Sequence, residues 1–298
     1  MTDTPAVSVV IPAYNAAWCV RRAVESVLDQ RYRDFEAIVV NDGSTDDTQA
    51  ALAEYGSAIR VVDKPNGGLS SARNAGIRAA RGGFVAFLDA DDRWLPDKLG
   101  RQMEFMREHP DLGFCSTAAR VEDPDGKLVN IWACPNWQGP FLAHLFAANA
   151  GVAGSGSAVL ARRELFDRAG GFDEQLRSLE DIDMWMRLAA VANYGCIEEP
   201  LAVILKHPDS MSRNLEVMRS AAIRVMHKNR RLLPKGLQGR YWRNGMAGVH
   251  ADYAKWQWRL GRRREALGDV LAALGLAPLA RGRLCLGLLK DMILGHPF

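Results

Sequence analysis

In the first hundred residues, short apolar runs alternate with amphipathic stretches, and each run stops abruptly at polar residues. Val7 to Ile11 is closed by Pro12 and followed by Ala13-Tyr14-Asn15. Phe35 to Val40 ends at Asn41-Asp42-Gly43-Ser44-Thr45-Asp46, Ile59 to Val62 is a third run, and Phe84 to Leu88 ends at Asp89-Ala90-Asp91-Asp92. Runs this short and this apolar are strands buried on both faces. Between them, Val20, Ala23, Val24, Val27 and Leu28 fall on one helical face. Ser44 with Asp47 three residues later resembles a capping box, and residues 70–81 form a helix closed by Gly82-Gly83. The alternation predicts an α/β fold with a mostly parallel central sheet flanked by helices. Such sheets bind ligands outside the carboxyl ends of their strands, so the polar clusters there are the candidates for chemistry.

Beyond Pro96 the pattern is mixed, with helices expected over 97–108 and 182–192. After Met211 almost everything reads as helix. Tyr253 to Pro278, with Ala254, Trp258, Leu260-Gly261, Ala266, Ala273-Leu274 and Pro278, resembles one tetratricopeptide-type hairpin or, equally, two unrelated amphipathic helices. A lone hairpin cannot bury its own face, so it needs a neighbour. With 48% hydrophobic residues among 298, the chain can build a large core, which excludes disorder and fibrous repeats. The formal charge of +3 hides an asymmetry: residues 219–298 hold 16 Lys and Arg against 4 Asp and Glu, a net of +12, and the rest carries −9. A basic tail on an acidic body points to an anionic surface or to a solvated helix face. Aromatic interleaving is too sparse for a nucleic-acid partner. Cys19, Cys115, Cys134, Cys196 and Cys285 are odd in number and scattered, which predicts neither a disulfide framework nor a thiolate zinc site. The first residues lack a signal-peptide pattern and no apolar run is long enough to span a bilayer, so a reduced, cytoplasmic protein is expected.

The strand-end clusters differ in what they imply. Tyr14 beyond the first strand is compatible with turn chemistry or with stacking on a nucleobase. Asp42 sits in a loop composition that serves either a turn or recognition of a base or ribose. Asp89, Asp91 and Asp92 repel one another unless a cation lies among them, and hard oxygen ligands suit Mg²⁺ or Mn²⁺ with positions left for phosphate. Glu180 and Asp181 open a helix, where a carboxylate is favoured by the dipole and well placed as a general base.

Taken in order, these segments resemble family 2 glycosyltransferases of the GT-A fold. The residues that carry the match are Val9 to Asn15, Ala23 to Gln30, Val39 to Asp46, Asn66 to Gly76, Phe87 to Asp92 and Glu180 to Trp185. The resemblance implies a GT-A domain over 1–212, with a nucleotide-sugar half (1–100) and an acceptor half (101–212), followed by a basic helical region over 213–298. It implies that Pro12, Tyr14, Asn15, Asp42 and Asn66 line the nucleoside of a UDP-sugar. Arg73 would face the diphosphate, and Asp89-Ala90-Asp91 would be the D-x-D segment touching ribose and metal. His207 would join a segment, Lys206 to Ser212, that closes over the diphosphate beside a divalent cation (Mn²⁺ or Mg²⁺). Asp181 would be the base, with Glu180 beside it, in an inverting single displacement onto a glycan or lipid-linked acceptor in cell-surface polysaccharide synthesis. Nucleotidyl transfer would need a glycine-rich, lysine-containing turn where Pro12 to Asn15 stand. A non-catalytic scaffold would tolerate loss of Asp42, Asp91 or Asp181, and all three are present.

Overall fold

The computed structural model describes residues 4–148, 152, 155–207 and 214–294. The chain divides into two compact units, Met1–Asn136 with Val152–Ser210, and Trp137–Gly151 with Met211–Phe298. Residues 137–151, expected in the acceptor half, therefore group with the C-terminal helices.

The first unit begins with β1 (Val7–Ala13), α1 (Val20–Leu28), β2 (Phe35–Asn41), α2 (Thr48–Ala53), β3 (Arg60–Asp63), α3 (Leu69–Ala79) and β4 (Phe84–Phe87). Strands β3, β2, β1 and β4 lie side by side and parallel, in that order. The strand–helix alternation dictates the parallel pairing, because each crossover helix carries the chain back to the end of the sheet where the previous strand began. Strand β1 runs through Pro12 rather than stopping before it. Val10 bonds towards β4, where its carbonyl accepts the Leu88 amide. Pro12 points the same way, past the last β1–β4 pair at Val10 and Phe87, so its missing N–H breaks no ladder bond. The capping box at Ser44 is not formed. Helix α2 opens at Thr48, whose amide donates to Asp46 Oδ1 at 3.0 Å, while Ser44 Oγ accepts the Asn15 amide.

The rest of the unit extends the sheet with mixed polarity through β5 (Arg93–Trp94), α4 (Lys98–Glu108), β6 (Leu112–Glu122) and β7 (Leu128–Trp132). Of the following elements, α5 (Phe141–Ala148) falls in the second unit. The chain returns to the first with α6 (Ser155–Ala158), β8 (Leu160–Arg162), α7 (Glu164–Ala169), α8 (Glu180–Ala189) and β9 (Asn193–Leu205). The full order is β3-β2-β1-β4-β8-β6-β9-β5, with β7 paired to β6. Strand β8 runs antiparallel to β4 and β6, β7 is antiparallel to β6, and β6 and β9 run parallel. The expected parallel sheet is thus the N-terminal half of a mixed one. Antiparallel β5 and β9 match Arg93 with Val203, which carries the end of β9 to the acidic loop after β4.

Cys134 and Cys196 form a disulfide with Cα atoms 5.8 Å apart, which corrects the expectation that no disulfide would form. Sixty-two residues separate them, and only the pairing of β7 and β9 around β6 brings them together; spacing alone carries no such signal. Cys19, Cys115 and Cys285 are free and buried.

In the second unit, α9 (Leu215–Asn229) precedes α10 (Arg240–Arg259), α11 (Arg263–Leu276) and α12 (Pro278–Leu294). Helices α10 and α11 are joined by a turn at Gly261 (φ +76°), and α10 begins at Arg240, well before the 253–278 stretch singled out in the sequence. Their seam is built from small residues, Ala247, Ala251, Ala254, Val270 and Ala273, which let the backbones approach closely. Cys285 and Leu288 of α12 complete that cluster, so α12 is the neighbour a lone hairpin requires. Among the described residues no helix is long and apolar enough to cross a membrane.

Candidate functional site

The carboxyl ends of the parallel strands form one polar edge. At the first, Asn15 takes a left-handed conformation (φ +47°), its side-chain oxygen accepts the Thr45 amide at 2.8 Å, and Tyr14 is 52% exposed. At the second, Asp42 is buried, and its carboxylate accepts the amides of Gly67 (3.0 Å) and Gly68 (2.8 Å) and pairs with Lys64. Asp42 thereby holds the Lys64-to-Gly68 loop against the strand edge, with Asn66 exposed on it. Gly43 is required there: at φ +72°, a Cβ on it would stand 2.7 Å from the Asn66 amide.

Helix α3 lies on β1 at Gly76, where a Cβ would meet Val10 Cγ1 at 2.2 Å. One turn earlier, this close seat buries Arg73. Its Nη1 donates to Glu180 Oε1 at 2.6 Å and its Nη2 to Asp89 Oδ1 at 2.7 Å, with the guanidinium 5.3 Å from the Phe172 ring centre. Expected on the diphosphate, Arg73 instead spends its fork on two carboxylates more than ninety residues apart. Burial alone works against its charge, but Asp89, Glu180 and Asp181 outweigh it and hold the guanidinium above its usual range. Its Nε is buried with no hydrogen-bond partner among the described residues. Asn74 docks the segment before α8 by exchanging hydrogen bonds with the backbone of Phe172 (2.9 and 2.7 Å).

Leu179, in a left-handed turn at φ +57°, starts α8 and delivers Glu180 and Asp181 to the same place. Burial first, then the Glu180 charge, push the Asp181 carboxyl up to about 6, while Arg73 pulls it back. On the far side of Arg73 stands the D-x-D loop. Asp89 is turned towards Arg73 and Ala90 is buried. Asp91 is a third exposed, with Oδ2 3.1 Å from His207 Nε2, and the His207 ring meets Trp18 edge-on at 5.2 Å. Burial and Asp89 raise the Asp91 carboxyl, and His207 offsets part of that. Asp92 is raised well above the usual range by burial and by Asp91 and Asp89.

The metal set expected from the resemblance, Asp91, Asp89 and His207, is therefore divided. Among the described residues no three His, Cys, Asp or Glu side chains gather as a ligand cluster, because Asp89 is committed to Arg73. Asp91 and His207 converge as two ligands of one ion would, and a hard cation held by one or two protein groups keeps positions for phosphate oxygens. The donor set fits that use. Of the expected closing segment, Pro208 to Ser212 lies outside the described residues. Ser157, Trp18 and Lys64 at this edge carried no sequence signal, because each acts through a partner distant in the chain.

A family model described as glycosyl transferase family 2 matches residues 8–169, from the second residue of β1 through β4 and the D-x-D loop. The chain belongs to glycosyl transferase family 2. Among its relatives, a chondroitin synthase of Pasteurella multocida (strain Pm70) is 30% identical over 235 residues, 76% of this chain and 23% of that one. A hyaluronan synthase of Pasteurella multocida is 31% identical over 217 residues, 70% of this chain and 21% of that one. The chain thus spans under a quarter of the length of these two relatives. Staphylococcus aureus TarS in complex with UDP-GlcNAc superposes with a TM-score of 0.71 at 18% identity, covering 97% of this chain and 92% of that one. The mannosyltransferase PcManGT from Pyrobaculum calidifontis, in complex with GDP-Man and Mn²⁺, gives 0.61 at 22% identity, covering 98% and 81%. The likeness is one of fold, and the GT-A architecture expected from the sequence is the one found.

Proposed function

We propose that the chain is an inverting glycosyltransferase that moves a sugar from a nucleoside-diphosphate donor, a UDP-sugar, to a hydroxyl of a glycan or lipid-linked acceptor in cell-surface polysaccharide synthesis. The observation that carries this reading is the convergence on Arg73 of the D-x-D loop and the Glu180–Asp181 pair, from opposite ends of the domain. The fold neighbours solved with UDP-GlcNAc or GDP-Man, and the relatives named as polysaccharide synthases, support it.

The chemistry follows from what a sugar hydroxyl lacks. It is a poor nucleophile at neutral pH, so a carboxylate must take its proton as the new bond to the anomeric carbon forms. Asp181, with a carboxyl near 6, is mostly ionised at pH 7 yet basic enough to accept that proton. As the bond from the anomeric carbon to the phosphate oxygen breaks, negative charge builds on the departing nucleoside diphosphate. Asp91 and His207 would hold a divalent cation, which supplies neutralising charge there when bound. Pro12, Tyr14 and Asn15 would line the base, Tyr14 by stacking. Asp42 and Asn66 would shape the nucleoside side through the Lys64-to-Gly68 loop. Arg73 bridges Asp89 and Glu180 and favours the charged form of Asp181.

A panel of nucleotide sugars with Mn²⁺ or Mg²⁺, followed by release of the nucleoside diphosphate, tests the proposal. Release from a UDP-sugar is expected; no release from any donor under either ion defeats it.

For the basic helices the reading is peripheral attachment to an anionic bilayer. On α12, Leu279, Arg283, Leu286, Lys290 and Ile293 follow one another at i, i+4, i+7, i+11 and i+14, all exposed, Leu279 at 90% and Ile293 at 84%. Cations among exposed leucines suit an interfacial helix. Leu286→Glu with Ile293→Glu should abolish pelleting with anionic vesicles; unchanged pelleting removes the reading.

A further inference from the structure

Within the D-A-D-D run, Asp92 is the acid that the donor chemistry leaves without a use. It is 4% exposed. Its Oδ2 accepts the Ser157 hydroxyl at 2.5 Å and its Oδ1 accepts the Leu205 amide at 2.9 Å. Ser157 Oγ in turn accepts the Asp89 amide at 3.1 Å. Three segments distant in sequence thus meet at one carboxylate: the loop after β4, the short α6 and the end of β9. The β5–β9 ladder ends at Arg93 and Val203; beyond it β9 stays paired on its other edge with β6 as far as Leu205, and Asp92 supplies its tie to the acidic loop. Two residues past Leu205, His207 stands beside Asp91.

We infer that Asp92 is a latch, a positioning residue that works with Ser157 to hold the end of β9 so that His207 reaches Asp91. A buried carboxylate suits this use, because each oxygen accepts a directed hydrogen bond from a donor that burial would otherwise leave unpaired. The functional half of the inference rests on Asp91 and His207 holding a cation. The structural half does not.

The test uses the full chain with Asp92→Ala, Asp92→Asn, Ser157→Ala, His207→Ala and the double variant Asp92→Ala/His207→Ala. Hydrogen exchange of amides in 201–207 is followed without metal, and Mn²⁺ binding is titrated calorimetrically in the presence of UDP. Asp92→Ala should speed exchange at the end of β9 while β1 and β2 keep their protection, and should weaken Mn²⁺ binding about 10-fold, as outer-shell supports of metal ligands do. Asp92→Asn should recover most of the protection, since its carbonyl still accepts the Leu205 amide. The double variant should bind Mn²⁺ no more weakly than His207→Ala alone, because the latch acts through His207. Unchanged exchange in both Asp92→Ala and Ser157→Ala overturns the latch, as does a loss of affinity that adds in full to that of His207→Ala. Should Asp92→Ala fail to fold, Ser157→Ala removes one arm of the latch and carries the same readouts. A wild-type chain that binds no Mn²⁺ defeats the cation reading alone, and the exchange result still decides the latch.

Discussion

Replacing Arg73 with Ala removes the cation from between two carboxylates, and the structure sets the size of the effect. The Arg73 side chain is 2% exposed and that of Glu180 7%, so this half of the bridge is screened by almost no water. The Asp89 side chain is 25% exposed, and solvent will take over part of its charge. Breaking a buried pair by removing one partner typically costs about 3–5 kcal/mol, and the wetter Asp89 arm places Arg73→Ala near the lower figure, about 3 kcal/mol at pH 7.5. The loss must also depend on pH. Without Arg73, Asp181 loses a neighbour that favours its charged form, so its folded carboxyl rises further above the unfolded value. The folded variant then binds more protons than its unfolded chain and gains stability as pH falls towards 5.5, which narrows the gap to wild type. Arg73→Lys, with a single ammonium able to satisfy one carboxylate, should fall between the two. Urea unfolding of the three proteins at pH 7.5 and 5.5 measures this. A loss below about 1 kcal/mol at both pH values, or a gap that widens on acidification, would refute the reasoning, because a surface-like pair contributes no more than that.

Three further outcomes are expected. The kcat/KM for transfer should rise with pH along a limb near 6, the value to which burial and Glu180 push Asp181, since a protonated Asp181 cannot accept the acceptor's proton; a flat profile from pH 5 to 8 would remove that role. Cys134→Ser opens the 62-residue separation closed by the disulfide and should lower stability by about 2–4 kcal/mol, and unfolded wild-type protein should titrate three thiols rather than five without reductant. Lys98, buried over the Trp94 ring at 3.8 Å and pushed down to about 7 by burial, makes the folded state release a proton that the unfolded chain keeps. Wild-type stability should therefore rise relative to Lys98→Met between pH 7 and 9, seen as a difference in unfolding midpoints that moves in favour of wild type with pH.

The parallel half of the sheet was legible because each strand there is a local apolar run and each crossover a local helical period. Val7 to Asn41 needs no distant information to be read. Strands β5 to β9 were not legible as a mixed sheet, because the antiparallel contacts of β8 with β4 and β6 are fixed only when distant segments meet. The acidic positions were visible for a similar reason: Asp42, Asp91 and Asp181 each stand at the end of an element whose type the sequence dictates. Their partners were not. Arg73 reads as a fork for the diphosphate, and its two carboxylate partners stay hidden until Gly76 is seen to seat α3 on β1; Ser157 looks like any serine until Asp92 is buried against it. Cys134 and Cys196 show the same limit, since only the strands around β6 bring them within bonding distance.

The proposed transfer requires Asp181 to take a proton beside the bound donor. Donor affinity and turnover of Asp181→Asn, measured on the same preparation by calorimetry and by nucleoside-diphosphate release, test this most directly. Donor binding is expected within a few-fold of wild type and transfer lowered by at least about 100-fold, the contribution of a positioned general base. Turnover near the wild-type rate would contradict it.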